Sequence, residues 1–553
     1  MTKKRFSLSS RAFIFLVSLY FGIALNSAFW HFICSKAEFD SFKGLVFGLS
    51  LPFFTFIPLF LFFSLITLPK LGKPLIALLL VLSAAADYAM SNLGIIIDSD
   101  MVRNFAETNL REGMDFITLR SVLYVTFLGI IPAAAVFKTD IRFGSFGQEL
   151  KQRFVYNISL LALLGIFAAA CYKEYVSFGR NNSQVRKYVN TFNYIYAVGR
   201  YHQRQKWLNR KFIVLDAAPV INKTQTGRPR LLVLMIGETA RAKNFSLYGY
   251  ERETNPKLKK QDIITFRDVT SCGTATAVSL PCMFSALPRR QFDVNEAQFT
   301  ENLLDIAKKA GCNVFWNDND DGCKGVCKRI ENIDAKKGNR SPFCFGSYCH
   351  DEVLLDGLDE RIKNIKQDSI IVLHMMGSHG PTYFKRYPDK FKRFLPACDT
   401  ADLQNCTREQ IVNSYDNTIL YTDYVVSEVI DTLKRHPEIE SAMLYISDHG
   451  ESLGENNLYL HGFPYKIAPE EQKKVPMILW LSEKMRAAAA FDRRCLEQNG
   501  REKAYSHDNL FHSLLHLLGI KSSTYDAKLD LFGECMPETE KQTLQNPVAK
   551  NAG

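Results

Sequence analysis

LLVLMIGETAR, residues 231–241, is the stretch on which the fold turns. Its first seven residues form an unbroken apolar run that ends at Gly237. Such a run, bounded by a turn residue, is the pattern of a parallel strand buried on both faces. Three other runs share it: CNVFW at 312–316, SIIVLHMMG at 369–377 and SAMLYIS at 441–447. Helical patterns lie between them at 301–310, 351–366 and 409–434. Strands alternating with helices predict an α/β domain with helices on both faces of its sheet. In open sheets of this kind the site lies beyond the carboxyl ends of the strands.

Polar residues cluster at those ends. Glu238 follows the first strand, and Asp318, Asn319 and Lys324 follow the second. His379 follows the third, in GSHGP, and Asp448 and His449 follow the fourth, in SDHGES, with His461 soon after in YLHG. Taken singly, Glu238 reads as a first-turn acid and Asp448 as a cap. Taken together, two carboxylates and three imidazoles at one sheet edge predict a metal site. Zinc takes carboxylate oxygen and imidazole nitrogen, and Glu238, Asp448 and His449 supply three such ligands. A catalytic site keeps a further position for water or a nucleophile. VTSCGTATAVSLPCMF at 269–284 offers the hydroxyls of Ser271, Thr274, Thr276 and Ser279, and spacing does not choose between Thr274 and Thr276.

Upstream, the composition changes. Apolar stretches near 12–33, 44–68, 74–93, 120–138 and 153–171 are each long enough to span a bilayer, which takes roughly twenty residues. The first follows Lys3, Lys4 and Arg5 but carries Asn26, Trp30 and His31 and shows no clear cleavage site, so it reads as an uncleaved anchor. Basic residues at the N-terminus, at Lys70 and Lys73, and at Lys138, Arg142, Lys151 and Arg153 place those segments on the cytoplasmic side. Five crossings then put the C-terminal half outside. The outward loop 94–119 carries Asn104, Thr108 and Glu112 at i, i+4, i+8, one face of a helix. That stripe suits a lipid head group or a solvated face. Residues 172–230 interleave aromatic and basic side chains, as in RKYVNTFNYIYAVGRYHQRQKWLNRKF, the mix of helices lying at a bilayer interface. They end in TQTGRPR, a short entry to the next domain. Three regions result: a transmembrane domain at 1–171, an interfacial segment at 172–230 and a catalytic domain at 231–553.

The chain of 553 residues has a net charge of +11, which suits anionic lipid; no nucleic-acid motif occurs. Of thirteen cysteines, eight fall into close pairs after residue 271: Cys272/Cys282, Cys323/Cys327, Cys344/Cys349 and Cys398/Cys406. Cys495 and Cys535 form a longer fifth pair. The irregular spacings and the absence of CxxC favour disulfides over zinc knuckles. Disulfides at this density imply an oxidising compartment, which agrees with the charge rule. Cys312 reads as a free thiol at the start of a buried strand.

GETAR at 237–241, SCGTATAVSLPCMF at 271–284, WNDNDDGCKG at 316–325, GSHGPTYFKRYP at 377–388, NSYDNT at 413–418, SDHGESLGENNLYLHG at 447–462 and VPMILW at 475–480 together resemble the lipid A phosphoethanolamine transferases, the family that confers polymyxin (colistin) resistance. The resemblance implies five transmembrane helices in the bacterial inner membrane and a periplasmic domain like alkaline phosphatase and the sulfatases. It implies zinc held by Glu238, Thr276, Asp448 and His449, with Thr276 as nucleophile. His379 and His461 would serve the phosphoryl group, the leaving group or a second zinc. Asn319 and Lys324 would contact the substrate phosphate. Asn104, Thr108 and Glu112 match residues that approach the donor's ethanolamine. Asp320 departs from some relatives, which carry Asn there. The implied donor is phosphatidylethanolamine, the acceptor a lipid A phosphate, and the chain a monomer. Transfer to a lipopolysaccharide core sugar, or of phosphoglycerol on the same fold, are the alternatives. A sulfatase is disfavoured, since no CxPxR or SxPxR motif occurs.

Overall fold

The computed structural model describes residues 6–536 except 38–41, 100, 103–117, 209, 223–226, 338–340, 347 and 489–490. The chain forms two compact units, Met1–Arg210 and Lys211–Gly553.

Four helices of the first unit are long and apolar enough to cross a membrane: Gly44–Ile66, Gly72–Asn92, Leu119–Lys138 and Phe146–Ala170. The pair Ser10–Ile23 and Ser27–Lys36, bent by 56°, is long and apolar enough for a fifth crossing if it counts as one span. The straight span expected at 12–33 is therefore broken. The cause is Asn26, whose amide donates to the Phe21 carbonyl (2.7 Å), while the Trp30 indole donates to the Gly22 carbonyl (2.8 Å). Side chains thus satisfy carbonyls at the end of the first helix, as a chain in lipid requires. The last span starts at Phe146, earlier than expected, behind a Ser145/Gln148 capping box. Arg153 lies inside it and donates to the Thr67 carbonyl (2.9 Å). Ser7–Ser9 pairs in parallel with Asp140–Arg142, so the N-terminus and the loop after the fourth span lie at one end of this unit. The helices Tyr172–Asn181, Val185–Tyr188 and Asn190–Leu208 belong to this unit. Their aromatics Tyr175, Phe178 and Tyr188 pack on Phe29 and Phe47. Asn190 ties them in through the carbonyls of Leu25 (2.6 Å) and Ser83 (2.8 Å).

The second unit is built on a seven-stranded sheet. In chain order its strands are β1 (Arg230–Gly237), β2 (Ile263–Phe266), β3 (Asn313–Asp318), β4 (Glu331–Asp334), β5 (Ser369–His374), β6 (Glu440–Ser447) and β7 (Met477–Leu481). The spatial order is β2-β7-β6-β1-β5-β3-β4. The four expected strands are β6, β1, β5 and β3, adjacent and parallel. β7 alone runs antiparallel to its neighbours β6 and β2. Side chains alternate across β1. Leu232, Leu234 and Ile236 join a core with Leu303, Leu304, Ile306, Leu514 and Leu515, from helices α1 (Leu303–Lys309) and α2 (Leu510–Leu517). Leu231, Val233 and Met235 are as deeply buried on the other face, and the long helix α3 (Arg408–Lys434) packs against β6. Burying each such side chain contributes roughly 1.5–3 kcal/mol. Capping boxes at Asn302/Asp305 and Thr407/Gln410 fix where α1 and α3 begin.

Candidate active site

Beyond the carboxyl ends of β1 and β6 the backbone turns sharply. Thr239 adopts φ +55°, an uncommon conformation for a residue with a Cβ. It is held there from both sides. The Tyr415 hydroxyl donates to the Thr239 carbonyl (2.7 Å) and accepts from the Arg241 amide (2.9 Å), and Ser447 Oγ accepts from the Ala240 amide (2.9 Å). Gly377, at φ +50°, allows the turn after β5 to close on this loop, because a Cβ there would lie 2.7 Å from the Glu238 carbonyl oxygen. These constraints aim the fully buried Glu238, Asp448 and His449 at one another.

His449 Nε2 lies 3.5 Å from Glu238 Oε1 and 3.4 Å from Asp448 Oδ2. Its Nδ1 faces the Gly450 carbonyl at 2.9 Å, which assigns the ring proton to Nδ1 and turns the Nε2 lone pair toward both carboxylates. Glu238 Oε1 and Asp448 Oδ2 are buried and have no hydrogen-bond partner among the described residues. Burial first, then the charge of Asp448, holds the Glu238 carboxyl well above the usual carboxylate range. Burial pushes Asp448 up to about 7. Three buried acceptors aimed at one point repel one another unless a cation lies between them. The donor set therefore fits a divalent metal such as zinc.

The four hydroxyls of the 269–284 segment have separate tasks. Thr276 begins the helix α4 (Thr276–Met283), and its hydroxyl donates to Glu238 Oε2 (3.0 Å) with His449 Nε2 at 3.4 Å. Ser271 and Thr274 donate instead to the carbonyls of Gly273 and Phe463 (both 2.6 Å), and Ser279 to that of Asp448. The geometry thus separates Thr276 from Thr274. The Cys272–Cys282 disulfide closes the loop into α4. The buried His507 braces it, accepting from the Cys272 amide (3.1 Å) and donating to the Ser447 carbonyl (3.0 Å).

His461 and His379 extend the cluster. The ring centroids of His449 and His461 are 4.4 Å apart, and those of His461 and His379 are 5.7 Å apart. His461 Nδ1 lies 3.2 Å from buried Glu451. The two residues expected to contact phosphate bond to their own surroundings here. The Asn319 amide is turned inward onto the Cys349 carbonyl (3.1 Å) and Asp351 (2.8 Å), and Asp351 accepts from the Met376 and Gly377 amides. Lys324, at φ +48°, donates to the Asp321 carbonyl (2.7 Å); no hydrogen bond or ion pair joins it to the cluster among the described residues. Asn104, Thr108 and Glu112 lie outside the described residues.

The expected disulfides Cys272–Cys282, Cys323–Cys327, Cys344–Cys349, Cys398–Cys406 and Cys495–Cys535 are all present, and Cys312 is free and buried. Cys398–Cys406 belongs to the scaffold and not to the reacting groups. Cys406 is buried and directly precedes Thr407, the cap of α3. Its amide donates to the Leu403 carbonyl (3.1 Å), while the amide of its partner Cys398 donates to Ser414 Oγ on α3 (2.7 Å). The Cys406 bond thus fastens the entry of the helix whose Tyr415 holds the Thr239 turn.

Sequence reasoning missed His374, Glu451 and His507, and met Asp320 only as a departure from some relatives. His374 had a signal, an imidazole inside an otherwise apolar strand; His507 lies in a surface-like SHDN segment and had none.

Comparison with known proteins comes to the same architecture. A family model described as Sulfatase matches residues 230–520, and one described as Phosphoethanolamine transferase EptA/EptB matches residues 55–206. The chain is 40% identical to phosphoethanolamine transferase EptA of Escherichia coli K12, over 97% of this chain and 99% of that protein. It is 38% identical to phosphatidylethanolamine transferase Mcr-1 of Escherichia coli, over 74% of this chain and 78% of that protein. The integral membrane lipooligosaccharide phosphoethanolamine transferase A of Neisseria meningitidis superposes with a TM-score of 0.64 at 38% identity, covering 96% of this chain and all of that one.

Proposed function

Since the chain belongs to the phosphoethanolamine transferase family of EptA and Mcr-1, we propose that it moves phosphoethanolamine from phosphatidylethanolamine to a phosphate of lipid A on the periplasmic face of a bacterial inner membrane. The observation that carries this reading is the Thr276 hydroxyl, bonded to Glu238 beside His449 at the mouth of the sheet.

Glu238, Thr276, Asp448 and His449 would hold zinc. When bound, the metal supplies Lewis acidity that lowers the Thr276 hydroxyl pKa and offsets phosphoryl charge. Thr276 Oγ attacks the donor phosphorus, its proton leaving along the existing bond to Glu238. The bond from phosphorus to the glycerol oxygen breaks. Diacylglycerol departs with a proton from His461, which Glu451 orients. Phosphoethanolamine is now esterified to Thr276. A lipid A phosphate oxygen then attacks, giving its proton to His461; the ester to Thr276 breaks, and Thr276 recovers its proton from Glu238. His379, beside His461, completes the imidazole wall facing the reacting group, and Asn319 acts through Asp351 on the turn that carries His379. Asn104, Thr108 and Glu112 receive the donor's ethanolamine head group, and Lys324 the substrate phosphate. The protein acts as a monomer. The added ethanolamine amine offsets a lipid phosphate charge, which weakens Coulomb attraction of cationic peptides such as polymyxin.

The test is a mass spectrum of lipid A from a susceptible Gram-negative host expressing the chain or its Thr276→Ala variant. The wild type should add one phosphoethanolamine mass, and the variant should lower the yield at least about a thousandfold. Full transfer by the variant rules Thr276 out. A silent, correctly inserted wild type redirects the acceptor to core sugar, or the cargo to phosphoglycerol.

A further inference from the structure

A second convergence of ligands shares Glu238. Glu238, Asp320 and His374 are all buried, and one ligand atom from each lies within 4.8 Å of the other two. His374 ends β5 and is fully buried. Its Nδ1 donates to Asp318 Oδ2 (3.0 Å), and that carboxylate is itself fixed by the Trp316 indole (2.8 Å) and the Gly322 amide (3.1 Å). A carboxylate holding one ring nitrogen so that the other faces inward is how metal-ligating imidazoles are oriented. The other nitrogen, Nε2, has no hydrogen-bond partner among the described residues and lies 3.9 Å from Asp320 Oδ2. Asp320 Oδ1 and Glu238 Oε1 are likewise buried without a hydrogen-bond partner among the described residues.

Charge counting points the same way. Asp318, Asp320, Glu238 and Asp448 bring four carboxylates into one buried region. One divalent ion at Asp448 offsets two of these charges. The buried Arg386 guanidinium acts through space on Asp320 and Glu238 and offsets a third, while its Nε donates to the His379 carbonyl (2.8 Å) and its Nη2 to the Thr382 hydroxyl (2.9 Å); one carboxylate charge remains. We propose that Glu238, Asp320 and His374 form a second divalent-cation site, with Glu238 shared between it and the centre at Thr276. One imidazole and two carboxylates select a transition-metal dication such as Zn²⁺. An ion there keeps Glu238 ionised and fixed in orientation, so Asp320 and His374 are positioning residues.

The test is metal content per chain. The full-length protein is stripped with chelator, reloaded with Zn²⁺, gel-filtered and analysed by elemental mass spectrometry, beside Asp320→Asn, His374→Gln and Asp448→Asn. Asp320→Asn keeps the shape of its side chain, and circular dichroism checks the fold of each variant. Asp320→Asn and His374→Gln should each hold one equivalent less than the wild type. Unchanged content in folded Asp320→Asn overturns the second site, since His374 then balances its carboxylates as an imidazolium. The proposal takes only Glu238 from the reading of the catalytic centre, and Asp448→Asn separates the two. Loss of an ion there, with none lost in Asp320→Asn, removes the second site and leaves the first. The opposite pattern removes the first and leaves the second.

Discussion

His507 shows how one side chain ties the nucleophile to the sheet. It accepts from the Cys272 amide at one ring nitrogen and donates to the Ser447 carbonyl at the other, which only a neutral imidazole can do. Burial pulls its pKa down to about 3, outweighing the Ser447 bond. In the unfolded chain the same ring titrates near 6.5. Between those values the unfolded state takes up a proton that the folded state refuses. Its contribution to stability is therefore complete above about pH 6.5 and falls as pH drops toward 3, by up to about 1.4 kcal/mol per unit. Melting midpoints of metal-free wild type and His507→Gln between pH 7.5 and 5 check this, and the variant should show the shallower slope. Parallel slopes would mean that other groups carry the acid sensitivity. At this scale the sequence shows which residue types gather at the strand ends but not which hydroxyl faces them. Thr274 and Thr276 are two positions apart, and only the turn into the helix sends one to Phe463 and the other to Glu238.

Among elements, legibility followed the length and uniformity of the apolar pattern. The four central strands are unbroken runs because both faces of the sheet are covered. β2 alternates between half-buried and buried over four residues, too short a pattern to separate from a loop. The break in the first span rests on Asn26, one polar residue whose choice of the Phe21 carbonyl is tertiary information. The disulfides allow an element-level prediction. Cys495–Cys535 closes 40 residues and ties the helix Arg493–Glu502 to the turn Gly533–Cys535; Cys323–Cys327 closes only 4. Loop-closure entropy assigns about 4 kcal/mol to the first and about 2 kcal/mol to the second. Chemical denaturation of the full chain with each pair replaced by alanine should show the larger loss for Cys495/Cys535. Equal or reversed losses would place the stabilisation in local packing instead.

For the whole molecule, compartment and topology constrain each other. Basic residues put the N-terminus and the loop after the fourth span on one side, and the pairing of Ser7–Ser9 with Asp140–Arg142 brings both to the same end of the helical unit. With the bent first pair taken as one span, the crossings number five, which would send the second unit to the opposite side, where thiols are oxidised. All ten paired cysteines belong to that second unit. Cys34, Cys171 and Cys312 stand outside the disulfides. Cys312 stays reduced among oxidised neighbours because it is buried, which pushes its thiol up to about 12, and the thiolate is the reactive form. Alkylation of denatured protein from intact cells should therefore label three thiols without reductant and ten more after reduction. Folded protein should leave Cys312 unlabelled. Thirteen thiols before reduction would place the second unit in a reducing compartment and reverse the topology. Labelling of Cys312 in the folded protein would instead show that β3 opens to solvent, although the sheet buries it between β5 and β4.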